Sequence, residues 1–177
     1  MVADNTECGL GVVALPNNVR LALDEVDRRL VAALAADARI PNNALAAKVG
    51  IAASTCLGRV RALRERGVIR GYYADVDPAA LGRPLQAMIA VRLQSHARNH
   101  MREFVAKVAE LPEVLNVFFL GGADDFLVHI AATGTESLRD FVVVNLSSDP
   151  DVALTETNLI FEHVRAGLTA VTTRIAP

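Results

Sequence analysis

Five arginines, Arg59, Arg61, Arg64, Arg66 and Arg70, fall within twelve residues of this chain. A guanidinium is a flat, permanently charged fork of N–H donors, matched to phosphate oxygens and to the N7 and O6 edge of guanine. Such a group recognises a duplex only when a stiff element spaces it, and the surrounding residues predict one. Ser54 is a good N-cap, and Gly67 stands where a left-handed residue closes a helix, just after basic Arg64 and Arg66. Between them Cys56, Leu57, Val60 and Leu63 share one apolar stripe, which predicts an amphipathic helix over Ser54–Arg66 with that stripe buried. Thr55, Gly58, Arg59, Ala62 and Arg66 project away from the stripe, and Arg61 lies on its flank. Thr55, Gly58 and Arg59 sit near the start, where reading helices touch bases. An ordinary solvated basic face would carry the same arginines, so the preceding segments bear on the choice.

Upstream, Leu23, Val26, Leu30 and Leu34 form a second helical stripe, with Asp24 and Glu25 at the positive helix N-terminus and an end near Asp37. Pro41 breaks the pattern, and either Asn42 or Asn43 can cap a short helix that carries Leu45, Ala46 and Val49 up to Gly50. Two short helices joined by a tight glycine turn make a helix-turn-helix. Val68 to Val76, with Tyr72 and Tyr73, reads as a strand, so the unit is expected to be winged.

Charge divides the chain in the same way. The formal net charge is −2. Residues 24–70 carry nine basic and five acidic side chains, a net of +4, whereas residues 71–177 carry eight basic and thirteen acidic, a net of −5. A polyanion is drawn to the first half and repelled by the second. Residues 1–20 lack periodicity and read as a flexible extension. Their apolar run Leu10–Leu15 is too short for a membrane span and lacks a signal peptide's basic flank. Cys8 and Cys56 have no metal-ligand spacing and suit a reducing cytoplasm, with Cys56 a small core residue.

Residues 77–84, with two prolines and a glycine, mark a hinge between a DNA-binding domain over 21–76 and a second domain over 85–177. In the second domain Leu85 to Leu93 alternates as a strand. A helix over Ala97–Glu110 follows, then strands Val114–Leu120 and Phe126–Ala132 joined through Gly121 to Asp125, a helix over Glu136–Leu146, and a strand over Val152–Val164. This β-α-β-β-α-β order predicts a ferredoxin-like fold, two helices on one face of an antiparallel sheet, and an α+β class overall. Val114 to Leu120 is apolar on both sides, yet belongs at a sheet edge with one face open. A second subunit is therefore expected to cover that face.

The run Leu23-Asp24-x-x-Asp27, then Leu45-Ala46, then Ser54-x-Cys56-x-x-Arg59-Val60-x-x-Leu63-x-x-x-Gly67-x-Ile69-x-Gly71-Tyr72 resembles the Lrp/AsnC (feast/famine) family of transcription regulators. Gly122-Ala123-Asp124-Asp125-Phe126 is similar to that family's Gly-x-x-Asp-Tyr/Phe turn, extending the match from Leu23 to Val171. The resemblance implies a DNA-reading winged helix-turn-helix, an amino-acid-sensing domain, and homodimers that assemble into tetramers or octamers. Ser54, Thr55, Arg59 and Arg61 match positions expected at the DNA, with Gly58 and Arg66 beside them. For the effector, Gly122, Asp125 and Phe126 match the signature turn, and the opposing wall would come from Asn145, Ser147, Asn158, Leu159 and Ile160. Asp125 suits an effector ammonium, and the Gly121-Gly122 amides its carboxylate. Plain turn chemistry would place the same aspartate there. Asn158 is often aromatic in relatives, so effector identity is not inherited.

Other chemistry is weaker. His96 and His100 are spaced i, i+4, but no cysteine or third histidine lies nearby to complete a metal site. Asp124, Asp125 and His129 lack a nucleophile, so neither catalysis nor a cofactor is expected. The reading is a cytoplasmic, sequence-specific DNA-binding regulator of amino-acid metabolism tuned by a small amino acid. The alternative is a stand-alone amino-acid-binding or metabolic protein with the same sheet and no DNA role.

Overall fold

A computed structural model describes residues 23–164. The proposed extension over 1–20, including Cys8, and the end of the family match at Val171 lie outside them. Residues 23–75 and 76–163 form two compact units. No helix among the described residues is long and apolar enough to cross a membrane.

The first unit contains three helices, α1 (Glu25–Ala36), α2 (Asn42–Val49) and α3 (Ala53–Glu65). Asp24 caps α1, its Oδ1 accepting the Asp27 N–H at 2.7 Å, and the helix ends at Asp37. Leu30, Ala33 and Leu34 from α1 meet Leu45, Ala46 and Val49 from α2 and Cys56 and Leu63 from α3 in one buried cluster. Burying its leucines and valine, at about 1.5–3 kcal/mol each, offsets the ordering cost of helices too short to persist alone.

Four expectations about this unit need correction. Ser54 is not the N-cap of α3: the helix starts one residue earlier, at Ala53, with Ala52 in the cap position and no side-chain cap. Neither Asn42 nor Asn43 caps α2, because Pro41 takes that position and Asn42 becomes the first helical residue. The Asn42 Nδ2 instead donates to the Ala53 carbonyl at 2.9 Å, tying the start of α2 to the first turn of α3. Leu57 leaves the buried stripe and is 62% exposed. The cause is angular: the contact with α1 and α2 centres on Cys56 and Leu63, and Leu57 lies about 100° round the helix from Cys56. Finally, residues 68–76 form no strand, since a ladder needs a partner and none pairs with them among the described residues. Among the described residues the helix-turn-helix therefore has no paired strand where the wing is expected.

The close of α3 follows the expectation. Gly67 has φ +71, and the Val68 and Gly67 N–H groups return to the Leu63 and Arg64 carbonyls, each at 2.9 Å. This is the paired 6→1 and 5→2 closure of a Schellman motif.

In the second unit, Asp77 caps a short 3₁₀ turn over Pro78–Leu81, closed by Gly82 at φ +77. The expected hinge is thus an ordered turn. Strands β1 (Leu85–Leu93), β2 (Val114–Phe119), β3 (Phe126–Ala132) and β4 (Val152–Ile160) form one sheet in the order β2-β3-β1-β4, with every neighbour antiparallel. Helix α4 (Met101–Ala109) follows a 3₁₀ turn, and α5 (Thr135–Val142) runs into a wide π turn over Val143–Ser147. β4 stops at Ile160, four residues short of the expected end. Ala87, Ile89, Val91, Phe126, Val128 and Ile130 face Phe104, Val108, Leu138 and Phe141 in a single core. This is the ferredoxin-like plan, and β2 lies at the edge.

Candidate nucleic-acid interface and effector site

Of the arginines on α3, two face inward to the chain's own acids. Arg59 Nη1 donates to Asp24 Oδ2 at 2.6 Å and to Asp27 Oδ1 at 2.8 Å, and Arg66 Nη1 lies 3.6 Å from Asp27 Oδ2. Asp27 is buried, so one carboxylate of α1 holds two guanidiniums about two turns apart, one on α3 and one at its C-cap. The Asp27 N–H first, and the Arg59 guanidinium second, hold the Asp24 carboxyl below its ordinary range. Hydrogen bonds to Asp24 and then Asp27 push the Arg59 pKa upward. Arg61 pairs along the helix with Glu65 at 2.8 Å, on a largely exposed side chain. An exposed i, i+4 pair of this kind contributes a few tenths of a kcal/mol and exchanges readily for a phosphate.

Ser54, Thr55, Gly58 and Arg61 lie exposed on α3, whereas Arg59 is half-buried against α1. Local spacing carries no sign of that division, since Asp24 and Asp27 lie more than thirty positions from Arg59. Leu57, expected in the core, stands beside Gly58 on the open side.

The effector candidates separate into groups. The Asp125 Oδ2 accepts the Leu93 N–H at 2.8 Å, its N–H donates to the Val91 carbonyl, and its carbonyl accepts the Leu120 N–H. The carboxylate expected to meet an effector ammonium therefore stitches the β2–β3 turn to the end of β1. Phe126 pairs with Val91, and its ring meets Phe104 and Phe119 at centroid distances of 5.5 and 5.3 Å. Gly121 and Gly122 are exposed in the turn. Asn158 pairs with Met88, on the other side of β1 and three residues along it, about 10 Å by strand rise. Leu159 and Ile160 lie further away still, opposite Ala87 and Gln86. Asn145 donates to the Phe141 carbonyl and lines an open cleft of about 340 Å³ with Glu113, Ser137 and Asp140. Ser147 Oγ sits 3.3 Å from Thr155 Oγ1. One chain does not bring these residues into one pocket.

Local spacing does not single out one residue at the turn. Arg92 reaches Asp124 Oδ1 at 3.3 Å, and its buried Nε has no hydrogen-bond partner among the described residues. Alternation in β1 put Arg92 on the open face, but its approach to the glycine turn depends on the β1–β3 register. On that same face His129 bridges Asn116 at 3.3 Å and Gln86 at 3.0 Å, three strands in one polar row. His96 and His100 instead pair with Asp151 and Glu103, and no cluster of three or more metal-ligating side chains occurs among the described residues.

Comparisons with known proteins agree with this architecture. Residues 23–64 match the AsnC-type helix-turn-helix domain, and residues 86–168 match the Lrp/AsnC ligand binding domain. The chain is 58% identical over 158 residues to the HTH-type transcriptional regulator AldR of Mycolicibacterium smegmatis, covering 89% of this chain and 92% of that one. The AldR of Mycobacterium tuberculosis is 57% identical over 163 residues, covering 92% and 91%. The crystal structure of MtbAldR superposes with a TM-score of 0.68 over 82% of this chain and 99% of that one. A transcriptional regulator of Neisseria meningitidis in complex with L-Met, 28% identical, superposes with a TM-score of 0.76 over 84% and 96%. With both modules matched in order and relatives this similar over nearly their full length, the chain belongs to the Lrp/AsnC family of transcriptional regulators.

Proposed function

We propose that this regulator binds duplex DNA through the outward side of α3 and that a small amino acid, bound between sensing domains of different subunits, shifts its DNA affinity or assembly. The observation that carries the first half is the brace of Asp27 on Arg59 and Arg66: it fixes α3 by its inner flank and leaves Ser54, Thr55, Gly58 and Arg61 outward. Arg64 and Arg70 add exposed charge for phosphates. In a dimer, two such helices meet half-sites about 34 Å apart or a multiple of it.

The second half is supported by the separation of the effector candidates. The glycine turn and the end of β4 belong to one site only if a second chain supplies the missing wall. The open sheet face, with Leu115, Phe118 and Leu154 exposed, suits burial against another subunit. At the turn, Arg92 suits a carboxylate and Asp124 an ammonium, while Asp125 keeps the turn in place. The L-Met complex of the Neisseria relative supports an amino acid as the ligand class. The ligand must bind one subunit arrangement better than another, because equal affinity shifts nothing. A role on chromosomal DNA supports a cytoplasmic location.

The test is binding to sheared genomic duplex DNA at rising KCl. Affinity falling steeply with salt, at a log–log slope of about −0.9 per phosphate contact, supports the regulator. Absence of binding at low salt supports the stand-alone amino-acid-binding alternative.

A further inference from the structure

We infer that Leu57 and Gly58 form the base-reading centre of α3 and that Leu57 recognises the C5-methyl of a thymine in the major groove. This rests on the DNA-binding role proposed above. Leu57 is 62% exposed on a helix whose other large apolar side chains are covered, Cys56 and Leu63 fully and Val60 in part. Among the described residues of its own module, nothing covers it. Gly58, next to it, is equally unexplained by the chain. It has ordinary helical φ, and a Cβ placed there would meet open space. A glycine inside a helix costs about 1 kcal/mol relative to alanine, so the chain forgoes stability at this position with no packing reason within the described residues.

A duplex supplies the reason for both. Without a Cβ at position 58, the helix backbone can sit deeper against base edges. The only apolar group that bases offer in the major groove is the thymine methyl, and an exposed leucine at the groove floor is its complement. The surrounding charge is complementary as well: Arg61 and Arg64 lie one turn or so further along α3, exposed, while Arg59 and Arg66 are held on the opposite flank by Asp27. The arginines thus divide between fixing the helix and holding phosphates, and sequence reading falls to the small and apolar positions between them.

The experiment is enrichment of a random-sequence duplex library by the full-length protein, followed by replacement of each thymine of the selected site with deoxyuridine, which removes only the methyl. Wild type should lose about fourfold in affinity at one thymine per half-site, the equivalent of one buried methyl group. Leu57→Ala should bind thymine and deoxyuridine equally there while losing none of its helicity or assembly. Gly58→Ala should raise the melting temperature yet weaken binding tenfold or more. Equal thymine dependence in wild type and Leu57→Ala overturns the inference and leaves the DNA-binding role standing, as does a Gly58→Ala protein that binds normally. A Leu57→Ala protein that changes sedimentation but not base preference assigns the residue to a protein contact and also overturns it. No enrichment at all removes both this inference and the reading beneath it.

Discussion

The Asp27 Oδ1 of α1 accepts a hydrogen bond from the Arg59 Nη1 of α3 at 2.8 Å, across thirty-two positions of sequence. A buried carboxylate is costly unless paired, so the contact fixes the angle at which α3 leaves the module. Arg59→Ala should therefore lower the melting temperature and weaken DNA binding by a similar factor for every sequence, with base preference unchanged. Asp27→Asn should do the same. A relaxed preference at one base pair in Arg59→Ala, with stability intact, would instead make Arg59 a base contact.

Arg61 differs, since only Glu65 on its own helix holds it. Arg61→Ala should cut affinity about tenfold or more, leave folding and assembly alone, and reduce the salt slope by about one. Glu65→Gln should tighten binding slightly by releasing the guanidinium. Parallel salt titrations of the three proteins check this.

Gly67 closes α3 at φ +71, where a Cβ would meet no neighbour but the backbone itself is strained for any other residue. Gly67→Ala should cost about 1 kcal/mol and lower the melting temperature of the DNA-binding module by roughly 5 °C. Differential scanning calorimetry gives both values.

Burial pushes the His129 imidazole to a lower pKa, and the nearby His163 adds to the effect. Asn116 and Gln86 flank its ring nitrogens. The unfolded chain therefore binds this proton more readily than the folded one. Stability should fall as pH drops below about 6.5, the ordinary histidine value, and stop falling from this source once pH passes the depressed folded value. His129→Gln should flatten that part of the profile in urea titrations at pH 7.5 and 5.5.

Much of this was legible in the sequence because local rules decided it. The alternation of Leu85 to Leu93, the order of elements after the hinge, and Gly67 as a helix close all rest on spacing over a few residues. The misplacements have a different origin. Ser54 could cap a helix, but Pro41 and Ala52 show caps set by the chain's entry angle instead. Leu57 fits a helical stripe, yet the width of the contact with α1 and α2 decides whether that stripe is filled. Tyr72 and Tyr73 favour a strand, but a strand also needs a neighbour. Asp125 suits a ligand by its type, but the bond its Oδ2 accepts from the Leu93 N–H, thirty-two residues away, is invisible to local spacing. Each of these depends on a partner distant in sequence.

The open face of the sheet leads to a further expectation. With Leu115 and Phe118 exposed on edge strand β2, Phe118→Glu should drive the assembly toward smaller species and abolish the amino-acid response together. A wild-type protein sedimenting as a monomer at micromolar concentration would refute the shared site. If the site is shared, thermal stabilisation by the cognate amino acid, found by screening all twenty, should disappear in Phe118→Glu and in Arg92→Ala.

Cys56 has no exposed surface, and burial pushes its thiol pKa upward, so as long as α3 stays seated it is a poor target for oxidants and alkylating reagents. Its rate of labelling consequently counts the moments when the DNA-binding module opens. This regulator carries a built-in stopwatch for its own breathing, one that operator binding should slow and that needs no engineered probe.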